Sequence, residues 1–142
     1  MDTNVEKEFQ EKYYEYEYLK QELENTDAQL RNMSNSYTSM QAVINTLNAI
    51  KNTKNGEKIL IPVGEGVVIK ASFDKDDKAL VNIGNNIVLN KDFDEAVNFI
   101  NKRLDEVNEF IKRLNGNAEF LIQKLRSLES ELMELQKKRK WL

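Results

Sequence analysis

Both ends of this chain carry a seven-residue repeat of apolar side chains, which limits how the chain can fold. In the first third, two interleaved sets alternate at spacings of three and four residues. They are Phe9, Tyr16, Leu23, Leu30, Tyr37 and Ile44, with Val5, Lys12, Leu19, Thr26, Met33, Met40 and Leu47. A repeat of this kind places one apolar stripe along a helix and predicts a left-handed coiled-coil seam.

The last third of the chain repeats the pattern. Its two sets are Val97, Leu104, Ile111, Ala118, Leu125, Leu132 and Arg139, with Phe93, Ile100, Val107, Leu114, Leu121, Leu128, Leu135 and Leu142. Asp92 followed by Glu95 is typical of an N-cap and the third helical position, so this helix should begin at about residue 92. Gly116 lies within the repeat without breaking it, which predicts a weak point in the helix that costs about 1 kcal/mol relative to alanine.

Two helices of similar length favour an antiparallel pairing. If Phe9 lies opposite Leu135 and Tyr16 opposite Leu128, apolar positions meet along the whole seam, and Thr26 faces Ala118. The charges agree with this orientation, because residues 1–30 carry nine acidic and three basic side chains and the chain ends in a basic segment, 137–140. Such exposed charges favour an orientation without adding much stability.

The middle of the chain has a different composition and predicts two β-hairpins. Four of the five glycines and the single proline, Pro62, lie between residues 56 and 84. Apolar runs at 59–63 and 67–73 flank Gly64-Glu65-Gly66, and runs at 79–83 and 87–89 flank Gly84-Asn85-Asn86. Glycine and asparagine tolerate the left-handed backbone of tight hairpin turns, and proline favours a strand edge or a bulge.

The predicted fold is therefore α+β. It is a long antiparallel two-helix coiled-coil hairpin with two β-hairpins inserted between the helices. We expect one domain in three parts: a helix over 1–54, the two hairpins over 55–91 and a helix over 92–142.

Isolated hairpins are only marginally stable and expose unpaired backbone groups. We therefore predict that these strands pair with strands of other subunits; the alternative is that they fold back as a cap on their own helices. The predicted oligomerisation residues are Ile59, Ile61, Val63, Val67, Ile69, Leu80, Val81, Ile83, Ile87 and Leu89.

Several kinds of chemistry are not expected. The chain has no cysteine and no histidine, which excludes thiol nucleophiles, imidazole catalysis and Cys/His zinc sites. Gly64-Glu65-Gly66 lacks the third glycine of a dinucleotide fingerprint, and the acidic segment 74–77 lacks the glycine and glutamate of a calcium loop. We predict no enzyme activity, no metal and no cofactor.

Partners are limited by charge and hydropathy. The formal net charge is −3, and the basic C-terminal segment lies opposite an acidic helix in the predicted pairing, so we expect no nucleic-acid partner. No apolar run approaches the roughly 20 residues that span a bilayer, and the first ten residues do not resemble a signal peptide. We predict a cytoplasmic protein with no membrane partner.

Five apolar side chains lie off the seam near the two chain ends. Tyr13, Tyr14 and Tyr18 belong to the first helix, and Met133 and Trp141 to the second. Antiparallel pairing gathers them at one end of the coiled coil. An aromatic and methionine-containing cluster suits adaptable contacts of low specificity, so we interpret it as a binding surface; the alternative is packing within a larger assembly.

Two stretches, ILIPVGEGVVIKASF and ALVNIGNNIVLNKDFDEAVNFI, resemble prefoldin subunits of the alpha class. The most specific matches are Pro62-Val63-Gly64 with Gly66-Val67, the segment 81–84, and Asp94-Glu95-Ala96. The presence of two hairpins instead of one distinguishes the alpha class from the beta class.

This resemblance implies an ATP-independent holdase of archaeal type, a hexamer of two alpha and four beta-type subunits. Its hairpins would join in a central double β-barrel. The distal helix ends would hold unfolded client proteins and transfer them to a group II chaperonin. The positions implied as client-binding are Phe9, Tyr13, Tyr14, Tyr16, Tyr18, Leu132, Met133, Leu135, Trp141 and Leu142. If the hairpin edges join without closing, the alternative is a self-assembling homo-oligomer or filament.

Overall fold

The computed structural model describes residues 2–140 and consists of two long helices with two β-hairpins between them. The elements in chain order are α1 (Asp2–Lys51), β1 (Lys58–Gly64), β2 (Val67–Ser72), β3 (Ala79–Gly84), β4 (Ile87–Lys91) and α2 (Phe93–Lys140). The predicted α+β architecture is confirmed.

The described chain forms two compact units. One contains α1 up to Asn35 together with α2 from Asn108, and the other contains residues 36–107, which include both hairpins.

The helix seam follows the heptad repeat. Every predicted seam residue that the structure describes, in α1 and in α2, is buried or half-buried; Leu142 lies outside the described residues. Thr26 and Ala118, predicted to face each other, are both buried. The Thr26 hydroxyl donates a 2.8 Å hydrogen bond to the Glu22 carbonyl, so the polar side chain has a partner within its own helix.

Two ion pairs in the first unit show that the helices run antiparallel. Lys12 Nζ lies 2.6 Å from Glu131 Oε2, and Arg139 Nε lies 2.8 Å from Glu6 Oε2. Moving forward along α1 therefore means moving backward along α2. Each pair lies one residue from the predicted pairing.

The start of α2 is capped as predicted. Asp92 Oδ1 accepts a 2.8 Å hydrogen bond from the backbone N–H of Glu95, and the helix begins at Phe93. An ion pair between Lys51 and Asp94 joins the end of α1 to the first turn of α2. Asp94 and Glu95 in this first turn also stabilise the helix, because their negative charges lie near the positive partial charge of its N-terminus.

The first helix ends at Lys51, three residues before the predicted position. The chain has to turn toward Phe73, whose backbone carbonyl accepts from Gly56 N at 2.7 Å and whose N–H donates to Glu57 at 2.9 Å. Gly56 makes this turn with φ of +80°, which a side chain would disfavour.

Both hairpins form with the predicted turns. In the first, Ile61 pairs with Ile69, and Glu65-Gly66 turns with φ of +51° and +79°. In the second, Val81 pairs with Leu89 across Asn85-Asn86, whose φ values are +50° and +62°. Two consecutive left-handed residues are the signature of a type I′ turn. A register shift follows Pro62, as expected for proline beside a bulge.

The strands close no barrel within residues 2–140. They form two separate two-stranded sheets, β1-β2 and β3-β4. The β-barrel that the resemblance implies is therefore absent from the single chain, because each strand of a two-stranded sheet keeps one unpaired edge. Closure would require strands of other subunits.

Candidate binding surfaces

An aromatic groove lies where the first part of α1 meets the last part of α2. It has a volume of about 290 Å³ and is lined by Phe9, Tyr13, Tyr16, Glu129, Leu132, Met133 and Gln136. The rings of Phe9 and Tyr13 are stacked, with centroids 6.3 Å apart and planes inclined by 11°. Helical spacing places 9, 13 and 16 on one side of α1, which explains why these three rings line one groove.

A cation lies against one ring of this groove. The Arg139 guanidinium carbon is 4.1 Å from the centroid of Phe9, within the range of cation–π attraction. Glu6 holds the same guanidinium through contacts of 2.8 and 3.2 Å, and Gln136 accepts a further hydrogen bond at 3.1 Å. These contacts fix the end of α2 against the start of α1.

A second ion pair of this unit joins Lys12 to Glu131. The 2.6 Å hydrogen bond to the carboxylate raises the pKa of the Lys12 ammonium above its usual value of 10.5. Lys12 is a polar residue in the helix seam, and this partner compensates its partial burial.

The structure brings five of the predicted client-binding residues together in the groove: Phe9, Tyr13, Tyr16, Leu132 and Met133. Tyr14 is 72% exposed and meets Tyr13 edge to face, with centroids 6.5 Å apart. Tyr18 is also largely exposed but lines no part of the groove. Leu135 is buried in the seam. Trp141 and Leu142 lie outside the described residues.

Sequence reasoning missed the polar members of this surface. Glu129 and Gln136 line the groove, and Arg139 and Glu6 lie beside it. A signal was available at Arg139, since a charged residue in an apolar heptad position requires a partner on the facing helix.

The two hairpins form a second candidate surface, which is apolar and exposed. Leu80 is 72% exposed and Leu60 63%, while Ile59 and Val81 are half-buried. The other predicted oligomerisation residues are all exposed: Ile61, Val63, Val67, Ile69, Ile83, Ile87 and Leu89. Single exposed apolar side chains are ordinary, but so many on two short hairpins indicate an interaction surface.

Three further exposed hairpin residues, Leu60, Val68 and Val88, were missed by the sequence prediction. Leu60 and Val68 lie on the strand face opposite to Ile61. Val88 pairs with Asn82 and therefore shares the face of Leu80. Near-continuous apolar runs are typical of strands that are covered on both faces, and that pattern could have identified them.

Three contacts anchor the hairpins within their own unit. The rings of Phe73 and Phe93 lie 6.0 Å apart, which joins the residue after β2 to the start of α2. Arg103 of α2 donates to the Asn82 carbonyl of β3 at 3.4 Å and lies 4.4 Å from the Phe99 ring. Asn55 Oδ1 accepts from the Lys75 N–H at 2.9 Å.

Residues 2–140 contain no cluster of three or more acidic side chains arranged to hold a metal ion. No helix in that range combines the length and the hydropathy needed to cross a membrane.

Comparisons with known proteins identify relatives along most of the chain. The family model for prefoldin subunits matches residues 19–138. A prefoldin subunit alpha from Thermofilum pendens is 32% identical over 118 residues, which cover 83% of this chain and 92% of that protein. A prefoldin subunit alpha 1 from Methanocaldococcus jannaschii is 33% identical over 120 residues, with coverage of 81% and 84%.

A solved structure has the same fold. The cryo-EM structure of filamentous PFD from Methanocaldococcus jannaschii gives a TM-score of 0.69 over 82% of this chain and 96% of that chain, at 22% identity. The sequence relatives, the family model and this shared arrangement of two helices and two hairpins lead to one conclusion. The chain belongs to the prefoldin family, as a subunit of its alpha class.

Proposed function

We propose that this chain is the alpha subunit of a chaperone that holds non-native proteins without ATP. The observation that carries the proposal is the aromatic groove together with the exposed Tyr14, Tyr18 and Met133 at the paired helix ends. Unfolded chains expose apolar side chains that such a surface can cover, whereas folded proteins bury most of theirs. Membership of a family of chaperones supports the same function.

Assembly would supply the avidity that a single groove lacks. We propose that the hairpins join two alpha and four beta-type subunits in a hexamer, closing their edges in a shared β-structure. Several weak apolar contacts to one client then act together, and such linkage raises avidity by about 10²–10⁴. Release requires no nucleotide if the client passes by competition to a group II chaperonin in the cytoplasm.

The test is an aggregation assay with the assembled protein. A chemically unfolded client is diluted into buffer without ATP, with this chain and a beta-type partner present. Replacing Tyr14, Tyr18 and Met133 together by serine should raise the concentration of complex needed for half protection by about 3- to 10-fold. All three side chains are exposed, so the helices should remain intact.

A matched variant replaces Phe110, Phe120 and Ile122 by serine. These residues are also exposed apolar side chains of the same unit, but they do not line the groove. We expect this variant to protect as well as the unchanged complex. Equal losses in both triple variants would show that general surface hydropathy, and not the helix-end cluster, holds the client.

A second candidate function is a self-assembling filament. It is favoured by the solved structure with the same fold, which is of a filamentous PFD, and by the open edges of both hairpins. Light scattering of the pure chain across concentration distinguishes the two assemblies. Mass that grows continuously with concentration supports the filament, and a fixed small oligomer supports the closed assembly.

A further inference from the structure

The aromatic groove combines rings with carboxylates, which is the chemistry that binds a guanidinium. Within this unit, Phe9 and Glu6 already hold such a group, because Arg139 lies over the Phe9 ring and pairs with Glu6. The chain itself therefore shows that this surface accepts an arginine side chain.

A second set of the same groups lines the groove beside the first. Tyr13 is stacked on Phe9, and Tyr16 and Glu129 line the same cavity. Among residues 2–140, the Glu129 carboxylate forms no hydrogen bond or ion pair, whereas the carboxylates of Glu6 and Glu131 are both paired with cations. A carboxylate beside aromatic rings attracts a cation more strongly than the rings do alone.

The remaining lining of the groove suits an apolar neighbour of that cation. Leu132 and Met133 supply aliphatic and thioether surface, and methionine adapts to side chains of different shapes. The acidic charge of the first helix, with nine acidic and three basic side chains over residues 1–30, offsets the basic segment 137–140 at the end of α2.

We infer that the groove selects client segments in which an arginine lies beside apolar residues, with the guanidinium bound by Tyr13, Tyr16 and Glu129. This inference rests on the proposed chaperone function and names the class of client segment that its groove prefers. Clients whose exposed segments are purely apolar bind more weakly, because they leave the Glu129 carboxylate without a partner.

The test compares two labelled synthetic peptides of alternating leucine and arginine or leucine and citrulline. Citrulline keeps the shape of arginine but carries no charge. Fluorescence anisotropy with the full chain, assembled with its beta-type partner, should show that the arginine peptide binds about 3- to 10-fold more tightly. Glu129→Gln should bring this preference down to about twofold or less, because the carboxylate is lost while the groove keeps its shape.

Glu134→Gln is the matched control. It removes the same charge from the same helix, but Glu134 is exposed and does not line the groove. The preference should be unchanged in this variant. Equal binding of the two peptides, an unchanged preference in Glu129→Gln, or an equal decrease in both variants would each overturn the inference.

The aggregation assay on the same samples separates this inference from the proposed function. If the complex protects the client but shows no preference for the arginine peptide, the chaperone function stands and the inference fails. If the preference depends on Glu129 but no client is protected, the groove has the inferred specificity and the proposed function fails.

Discussion

Glu65 has an unfavourable backbone conformation for its residue type. It occupies the first turn position of the β1-β2 hairpin with φ of +51°. The first turn position of the second hairpin is an asparagine, Asn85. A left-handed conformation costs a residue with a Cβ roughly 1–2 kcal/mol, and asparagine avoids part of this cost. Glu65→Asn creates an Asn-Gly turn, the strongest type I′ sequence.

We expect Glu65→Asn to stabilise the first hairpin by about 1 kcal/mol. Amide hydrogen exchange across β1 and β2 should slow accordingly, while exchange in the second hairpin should not change. Glu65→Ala is the control, since it removes the charge but keeps the unfavourable φ. Equal stabilisation by alanine would attribute the effect to the charge.

The ion pair of Lys12 with Glu131 stabilises the folded chain, and this stabilisation should be lost at high pH. The pKa of Lys12 is raised in the folded chain by the hydrogen bond to Glu131, so the contribution is fully present below the unfolded value of 10.5. The contribution declines as the pH rises through the higher folded pKa. At pH 8, Glu131→Gln should therefore melt at a lower temperature than the unchanged chain, and above pH 10.5 this difference should shrink.

The comparison between variants at the same pH removes the effects of pH that both proteins share. Glu134→Gln provides a reference, because it removes a nearby carboxylate that has no contact with Lys12. A melting difference for Glu131→Gln that stays constant from pH 8 to pH 11 would contradict the assigned pairing.

At the scale of elements, the heptad repeat was sufficient to predict the helices and their buried faces. Every described seam residue is at least half-buried, because a seven-residue period fixes which side of a helix meets its neighbour. The hairpins were equally predictable, since glycine and asparagine mark turns that few other residues tolerate. Asp92 predicted the start of α2 for a similar reason, because its side chain caps the helix.

The candidate sites were predicted only in part. Periodicity identified the aromatic members of the groove but not Glu129 or the contact of Arg139 with Phe9, which depend on side-chain conformations across two helices. The apolar residues Leu60, Val68 and Val88 were missed because alternation along a strand does not show whether both of its faces are exposed in the single chain. The left-handed conformation of Glu65 was not predicted from the sequence either, since glutamate does not favour this conformation.

Gly116 is a weak point within α2 that a single substitution should remove. A Cβ added there would meet no atom within 4 Å, and its φ is not positive, so alanine fits without strain. Gly116→Ala should raise the free energy of unfolding by about 1 kcal/mol, measured by chemical denaturation. Gly56→Ala is a matched control with equally open space but φ of +80°, and it should destabilise the protein.

At the scale of the whole molecule, the chain keeps its apolar strands on the outside. More than half of the surface of Leu60 and of Leu80 is exposed, and each strand has an unpaired edge. Exposed apolar strands with open edges require a covering partner if the chain is not to aggregate. The same requirement holds for a closed hexamer and for a filament, so it can be tested before the two are distinguished.

Replacing Leu60 and Leu80 by threonine should therefore weaken assembly while leaving the chain folded. Threonine keeps the β-propensity of the strands, but each leucine buried by another subunit contributes about 1.5–3 kcal/mol, so association should weaken at least tenfold. Sedimentation velocity across concentration should show smaller species, with unchanged helical circular dichroism. Val43→Thr, an exposed apolar change on α1, should assemble normally. If the double variant keeps its full mass at every concentration, the exposed strand faces are not the surfaces that join the subunits.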